Sequence, residues 1–490
     1  MSKLRALAFG GALLALCGTG RVHAQALTEA DVVQRAVANN PSLRAALLEV
    51  ERARLSVDSE DARYTPTMIL DAGLTRNEAP SLTATGTRVT AGTTAQAGVA
   101  ARKTFVFGTD LTLRLGSSFQ RRDSGQVLEG FPAQPALGPG YGLNARLTLA
   151  QPLLRGAGRD VGEAALRAAR VQRTAAELSR DRVASELLRD VLSAYWELWY
   201  ASASLAIEER ARALSEQQRN EARARADTGS LAPAAVLAFE TALATRQESV
   251  LAARIDVERK RATLRQHIGD RALALADPNA DALPEPPAPG ADAHSAALDH
   301  SALVRERAAA VMLADTQAQT ASDPLRSRLD LEAYVQADGL GNENVGDAAD
   351  GAVTGQAISA HVGLVYETPF SSTRRNAEAA RARIAVESAR AQLDESKLAV
   401  ASEIDIALAE HGTGAERLAL AQHTVEIARE QLKAEQARLA TGATTPLTVV
   451  QAEEDLRSAE LRVARTRADL MQTSLTIEHL TGNLLARHPL

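Results

Sequence analysis

Few residues of this sequence have the types and spacing that catalysis or metal binding requires. The nine histidines are scattered singly. His294 and His300, six residues apart in a predicted loop, have no carboxylate or cysteine framework at metal-binding spacing. There is no Gly-rich phosphate loop after a strand, no Gly-x-Ser-x-Gly turn and no nucleophilic cysteine in a mature chain. We therefore predict that the protein is not an enzyme and binds no cofactor or metal ion.

Three aromatic residues, Tyr195, Trp196 and Trp199, stand at helical spacing, which predicts packing along a helix rather than a ligand box. Aromatic residues make up only 3% of the chain and charged residues 24%. A large globular core normally contains more Phe, Tyr and Trp than this. The composition therefore predicts long, thin, Ala-rich helices.

The N-terminus has the form of a secretory signal. Lys3 and Arg5 accompany a short apolar stretch that ends near Cys17, and small residues suited to cleavage follow at 22–26. Cys17 is the only cysteine, so a mature chain would contain no disulfide. An alternative is a lipoprotein whose first residue is an acylated Cys17, although the bulky Leu16 stands where such signals have a small residue.

Cleavage of the signal would remove three basic residues and make the net charge more negative than the −6 of the full chain. This balance does not suggest a nucleic-acid partner. No stretch approaches 18 uninterrupted apolar residues, so no transmembrane helix is predicted.

An internal repeat is the clearest feature of the chain. Apolar residues recur every seven positions after Gly229 and again after Gly442, with a constant offset of 213 between the two series. A strict seven-residue spacing keeps one face against a partner helix and predicts left-handed coiling. The two series are Val236, Leu243, Val250, Val257 and Leu264, and Val449, Leu456, Val463, Leu470 and Ile477.

Each series follows a helix break with Gly near the end of one helix and Pro at the start of the next. This pattern therefore predicts two equivalent antiparallel helical hairpins. Their tips consist of Thr228, Gly229, Ser230 and Leu231 in the first copy, and of Thr441, Gly442, Ala443 and Thr444 in the second.

Before each hairpin the apolar period changes to two, which predicts strands that end at Pro152 and Pro369. Segments of about ten alternating residues suit an outer-membrane β-barrel, although a soluble antiparallel sheet alternates identically. A further hairpin is predicted at 97–119. Residues 338–356 are rich in Gly and Asp and predict one exposed loop. Thr28 and Asp31 predict an N-terminal capping box.

The chain resembles the TolC-like outer-membrane efflux proteins (outer membrane factors) across essentially its mature length. No single motif carries the resemblance; their order and duplication do. The motifs are residues 36–43 (AVANNPSL), 151–156 (QPLLRG), 194–198 (AYWEL) and the two Gly-centred tips.

The resemblance implies a mainly α fold with membrane β-barrel strands. Long coiled-coil hairpins would form a periplasmic tunnel, and a homotrimer with four strands per chain would form a twelve-stranded barrel in outer-membrane lipid. It also implies a passive exit duct of a tripartite efflux or type I secretion system, which works with a periplasmic adaptor and an inner-membrane pump. A periplasmic adaptor protein is the alternative, since adaptors also carry a helical hairpin, although normally one.

The sequence departs from this family in two places. The hairpin at 97–119 exceeds two strands per repeat, and we expect it in an extracellular extension. Charged residues do not follow the tip glycines directly, so charge-mediated closure at those positions is not implied. Glu240, Glu453 and Glu454, further along, are candidates for an acidic pore ring, and a solvated coiled-coil face is the alternative.

The repeat, together with the Gly and Pro residues at the ends of its helices and strands, predicts nine segments. They are a signal peptide (1–24), a first periplasmic helix (25–64), barrel strands and loops (65–151), a coiled-coil hairpin (152–270), a Pro-rich linker (271–295), a helix (296–323), barrel strands and a loop (324–368), a second hairpin (369–482) and a C-terminal tail (483–490).

Overall fold

The computed structural model describes residues 26–83, 86–123, 140–270, 275–279, 287–342, 344–355 and 357–488. The predicted signal peptide, with Cys17, lies outside these residues. The helices are α1 (Glu29–Asn39), α2 (Pro41–Ala62), α3 (Arg159–Gly162), α4 (Ala164–Asp227), α5 (Pro233–Ile268), α6 (Ala293–His300), α7 (Ala302–Ser322), α8 (Val345–Val353), α9 (Thr373–Ala440), α10 (Pro446–Leu480) and α11 (Asn483–Arg487). A short 3-10 turn covers Asp323–Leu325. The strands are β1 (Thr67–Thr83), β2 (Gly86–Thr104), β3 (Asp110–Asp123), β4 (Gly140–Pro152), β5 (Arg328–Gly341) and β6 (Ala357–Glu367).

The chain divides into two compact units. The first unit consists of the described residues of Met1–Asn40, Leu187–Pro289 and Ala407–Thr476, and contains α1, α5, both hairpin tips and the adjoining parts of α4, α9 and α10. The second unit consists of the described residues of Pro41–Glu186, Gly290–Ile406 and Ile477–Leu490. It contains the sheet, the helices α2, α3, α6, α7, α8 and α11, and the remaining parts of the long helices.

The seven-residue series is the packing seam of the first hairpin. All five predicted residues of this series are buried, from Val236 at 8% exposure to Leu264 at 0%. In the second series Val449 and Leu470 are buried, whereas Leu456 is half-buried. A buried Leu or Val stabilises a fold by about 1.5–3 kcal/mol relative to an exposed one, so these seams hold the hairpins closed.

The predicted aromatic packing along α4 is confirmed. Trp196 contacts Tyr195 and Trp199 edge-on, with ring centroids 5.2 and 5.8 Å away. The Tyr195 hydroxyl donates a hydrogen bond to the backbone carbonyl of Leu27 (3.2 Å), and the Trp199 indole donates to that of Asn279 (3.2 Å). The aromatic residues therefore anchor the segments that precede α1 and follow α5.

The predicted N-terminal helix begins as expected and then divides. Thr28 accepts a hydrogen bond from the Asp31 N–H, and the Asp31 carboxylate accepts one from Thr28, so the capping box is confirmed. The helix stops at Asn40, whose ψ of 124° is extended. Proline at position 41 disfavours helical geometry in the preceding residue, and α2 starts at Pro41.

One antiparallel sheet contains all six described strands in the order β1-β2-β3-β4-β5-β6. The sheet therefore has two strands more than the four per chain that the resemblance implied for the barrel. The residues of the predicted 97–119 hairpin form parts of β2 and β3, and these strands lie in the sheet between β1 and β4. Their extracellular placement stays a prediction. Their alternation continues that of the neighbouring strands, which lets them pair along their length.

The interpretation of 338–356 as one exposed loop is wrong. The strand β5 continues to Gly341, and α8 forms between β5 and β6. The Asn344 side chain caps α8 by accepting the Asp347 N–H (3.0 Å). A Cβ at Gly339 would lie 1.8 Å from the Ala348 carbonyl oxygen, so glycine lets α8 pack directly on the strand.

Candidate functional site at the hairpin tips

The two predicted tips have the same backbone structure. Gly229, between α4 and α5, and Gly442, between α9 and α10, both have a φ of 76°. This left-handed conformation favours glycine because it carries no Cβ. In each tip the residue after the glycine donates its backbone N–H, at 2.8 Å, to a carbonyl of the last helical turn: Ser230 to Arg225 and Ala443 to Arg438.

Both tips are also open. A Cβ built at Gly229 or Gly442 meets no heavy atom of the described chain within 4 Å. The hydroxyls of Thr228 and Thr441 each donate to a carbonyl of the preceding helix at 3.0 Å. The polar groups of the turns are therefore satisfied locally, while the outer side of each glycine is free for close approach by another chain.

Behind the tips, the two hairpins share an apolar cluster. Leu231 of the first tip packs against buried Val236 and Phe239, and Leu439 from the end of α9 packs on the same cluster. Leu439 also packs against the buried Leu432 and Val449 of the second hairpin. Thr444, in the second tip, is half-buried. The tips are therefore coupled by contacts within one unit.

The three glutamates of the candidate acidic ring have different surroundings. Glu240 forms an ion pair with Arg223 of the same hairpin. Glu454 forms ion pairs with Arg246 and Arg457. Glu453, in contrast, is only 7% exposed. Two of the three carboxylates are thus paired with arginines of the same chain. The acidic ring stays a prediction.

Charged side chains form a partly buried layer between the hairpins. Glu208 on α4 and Arg246 on α5 are only 5% and 6% exposed. Arg457 on α10 pairs with both Glu208 and Glu454, and Arg246 also pairs with Glu454. We call Glu208, Arg246, Glu453, Glu454 and Arg457 the charged layer. It connects the first hairpin to the second through ion pairs.

Glu453 is the least compensated member of the charged layer. Its Oε1 atom has no hydrogen-bond partner among the described residues, and the neighbouring Ser215 hydroxyl has none either. Burial raises the pKa of Glu453 to about 7, and the proximity of Arg246, Gln218 and Ser215 opposes this only in part. The carboxyl therefore changes charge near neutral pH while it is packed between the hairpins.

This titration predicts a pH-dependent stability. An ordinary glutamate has a pKa of 4.5, so the folded chain holds this proton more tightly than the unfolded chain. The stabilisation is complete below about pH 4.5 and is lost as pH rises to about 7. At roughly 1.4 kcal/mol per pKa unit, we expect Glu453→Gln to stabilise the protein by up to about 3 kcal/mol at pH 8 and hardly at all at pH 4.5.

Thermal unfolding of the purified protein at both pH values measures this difference. Glu248→Gln, at an exposed position of α5, is the matched control and should leave both transitions unchanged. An equal shift at pH 4.5 and pH 8 would show that Glu453 does not titrate in this range.

The two predicted strand-to-helix junctions lie in the second unit. Pro152 is the last residue of β4, and Leu153 continues the pairing by donating its N–H to the Leu329 carbonyl (2.7 Å). Pro369 lies between the end of β6 and the start of α9.

The part of the chain that the structure describes contains no candidate metal site. Its His, Cys, Asp and Glu side chains form no group of three that could hold a metal ion. His294 instead lies 3.0 Å from Asp405 in a single pair. Within the same residues, no helix is apolar over enough of its length to cross a bilayer.

The arrangement of paired long hairpins and a sheet agrees with a known family. The family model described as "Outer membrane efflux protein" matches residues 32–270 and 293–483, which is most of the chain. The chain belongs to the outer membrane efflux protein family.

Solved outer-membrane channels share the fold of this family member at low sequence identity. VceC from Vibrio cholerae is 16% identical, with 94% of this chain and 97% of that chain covered and a TM-score of 0.65. MtrE from Neisseria gonorrhoeae, in an open state, is 17% identical, with coverage of 93% and 88% and a TM-score of 0.62. CmeC from Campylobacter jejuni is 12% identical, with coverage of 98% and 94% and a TM-score of 0.61. No curated protein sequence matches the chain.

The predicted class and location are therefore confirmed at the level of the family. The protein is an outer-membrane efflux channel with a mainly helical fold and a β-sheet portion, and members of this family are channels rather than enzymes. The adaptor alternative is not retained, because the family model covers both hairpins and the strands between them.

Sequence reasoning missed three members of the charged layer, Glu208, Arg246 and Arg457. Arg246 had a detectable signal, since it lies three residues after Leu243 and four before Val250 on the buried face of α5. A charge at such a seam position requires a partner. The partners, Glu454 and its neighbours, come from another helix and have no signal in the local sequence.

Proposed function

We propose that this efflux protein is the homotrimeric exit duct of a tripartite efflux or type I secretion system. The duct conducts substrate passively from an inner-membrane pump and a periplasmic adaptor across the periplasm and the outer membrane. The sequence contains no phosphate-binding loop, so the energy comes from the pump. The predicted segments other than the signal peptide are its proposed parts, with the first helix divided at Asn40 and a short helix between β5 and β6. Its other partner is outer-membrane lipid.

The observation that carries this proposal is the pair of open, equivalent tips. Two turns 213 residues apart have glycines with the same φ, satisfied polar groups and free space outside the glycine. Equivalent surfaces in three copies would present six such turns to an adaptor. We therefore assign the tips (228–231 and 441–444) to adaptor contact and to the moving gate.

Photo-crosslinking in living cells tests this assignment. A photoreactive amino acid replaces Thr228 or Thr441, and mass spectrometry identifies the adducts. Leu251 and Leu420, exposed on α5 and α9, are control positions. We expect a periplasmic adaptor in the tip adducts only. Adducts that contain only copies of this chain, or an adaptor captured equally from the controls, would contradict the assignment.

A further inference from the structure

The six strands of this chain form a continuous two-faced sheet. One row of the register, with one residue from each strand in order, is apolar throughout: Met68, Ala101, Leu113, Leu147, Val335 and Ala360. The adjacent row is polar throughout: Thr67, Arg102, Thr112, Thr148, Tyr334 and His361. The strands β2 and β3 thus continue both faces that a transmembrane barrel requires.

The lengths of β2 and β3, the two added strands beyond the four that the resemblance implied, also suit a bilayer. A tilted transmembrane strand needs about 9–11 residues. The strands β2 and β3 have 19 and 14 residues, whereas β6, at the edge of the sheet, has 11. Each added strand is therefore at least as long as β6.

The turn between β2 and β3 lies at the end of the sheet from which the helices start. A Cβ at Gly108 in this turn would meet the side chain of Pro152 and the carbonyl of Gly156, and Gly162 lies against the Val106 carbonyl. Thr109 hydrogen-bonds to Gln151 at the end of β4. The hairpin therefore traverses the sheet and returns, with its tight turn on the helical, periplasmic side.

Side chains on the polar face join the added strands to β1. Arg114 of β3 reaches over β2 and pairs with Asp71 of β1 at 2.6 Å. The contact passes over Gly98, where a Cβ would lie 2.9 Å from the guanidinium and 3.0 Å from the carboxylate. On the same face, Arg146 of β4 stacks on Tyr334 of β5, 3.8 Å from the ring centroid. A polar face of this kind suits a water-filled lumen.

The outer edges of the sheet fit a second copy of the chain. Among the described strands, β1 and β6 each pair on one side only. Unpaired backbone groups are not tolerated in lipid. The strand β1 runs away from the end of the sheet where the helices start, and β6 runs back towards it. When all copies have the same orientation, β6 of one copy and β1 of the next are therefore antiparallel.

We propose that each chain contributes six strands to the membrane barrel, so that the trimer proposed above closes an eighteen-stranded barrel. Barrel diameter grows roughly linearly with strand number, so the lumen is about one and a half times as wide as in a twelve-stranded barrel. Barrels of about 16–18 strands leave an open aqueous channel. The membrane part of this duct is thus a wide pore lined by polar side chains.

Spin labels on single cysteines test the position of β2 and β3. If Cys17 is removed with the signal, each engineered cysteine is unique. The labelled positions are Ala101 and Arg102 on β2, Leu113 and Thr112 on β3, and Ala360 and His361 on β6 as matched controls. The protein is reconstituted in phosphatidylethanolamine–phosphatidylglycerol vesicles, and collisions with oxygen and with a nickel chelate report lipid and water.

We expect labels at Ala101, Leu113 and Ala360 to collide mainly with oxygen, and labels at Arg102, Thr112 and His361 mainly with the nickel chelate. Equal access of the chelate to both positions of β2 and of β3, with alternation preserved in β6, would overturn the proposal. Alternation in all three strands supports it.

Electron cryomicroscopy of the detergent-solubilised protein then counts the strands, and native mass spectrometry counts the chains. Eighteen strands from three chains support the proposal, whereas twelve strands from three chains overturn it. A different number of chains would overturn the trimer, and the ratio of strands to chains would still decide the six-strand contribution.

Discussion

Tryptophan in place of Gly229 or Gly442 is expected to reduce export to the level of a strain that lacks the protein. The left-handed φ of 76° strains any residue with a Cβ, and an indole would fill the open space beside the turn. The other hydrogen bonds of the tips lie behind the glycine, so assembly in the outer membrane should persist. Drug and dye accumulation and the secreted proteome, compared with the deletion strain, measure export.

Alanine at the same positions separates strain from bulk. A left-handed non-glycine residue costs about 1–2 kcal/mol, and an exposed turn can absorb this cost without loss of the fold. We expect the alanine variants to keep most of the export activity. Normal export by both tryptophan variants would remove the tips from the mechanism, and equal loss in the alanine variants would assign the effect to backbone strain alone.

The second large effect is expected from Arg246→Ala. Removal of this buried guanidinium leaves the carboxylate of Glu454 with one partner fewer and Glu453 without its nearby positive charge. Breaking a fully buried ion pair by removing one partner costs about 3–5 kcal/mol. The cost here lies towards the lower end of that range, because the Glu454 side chain is 37% exposed and keeps Arg457 as a partner. We therefore expect a large loss of thermal stability at pH 8, measured as the unfolding transition of the purified oligomer.

Two further variants test the reason for this loss. Arg254→Ala is the matched control, since Arg254 and its partner Glu209 are both about half exposed, and such pairs contribute about 0–1 kcal/mol. Arg246→Met combined with Glu453→Gln removes both charges and should recover much of the stability lost in Arg246→Met alone. A loss no greater than that of Arg254→Ala would show that the charged layer does not hold the hairpins together.

The tips and the charged layer belong to the same helices. Glu453 lies seven residues after Pro446, about 10 Å along α10 at roughly 1.5 Å per residue. A change in the charge of Glu453 therefore acts close to the turn that we assign to the gate. If the tips separate during opening, the stability of this layer sets part of the free energy of that step.

The sequence was sufficient for features that depend on local period and on turn chemistry. The seven-residue seam from Val236 to Leu264, the stops at Gly229 and Gly442 and the capping box at Thr28 follow from the spacing of side chains on one helix. The period-two segments also predicted strands, because alternation sets which residues share a face.

Only the tertiary structure decided which of these elements meet. The segments at 97–107 and 111–119 alternate like any antiparallel strand, so their position between β1 and β4 depends on pairing with strands far along the chain. Likewise, the seven-residue period of α5 indicates that Arg246 is buried, but it does not indicate that Glu454 is its partner. Local spacing determines on which face of its helix or strand a residue lies. Which other element packs against that face depends on contacts between residues far apart in the chain. The repeat, the hairpins and the strands were therefore readable from the sequence, and the six-stranded sheet and the charged layer were not.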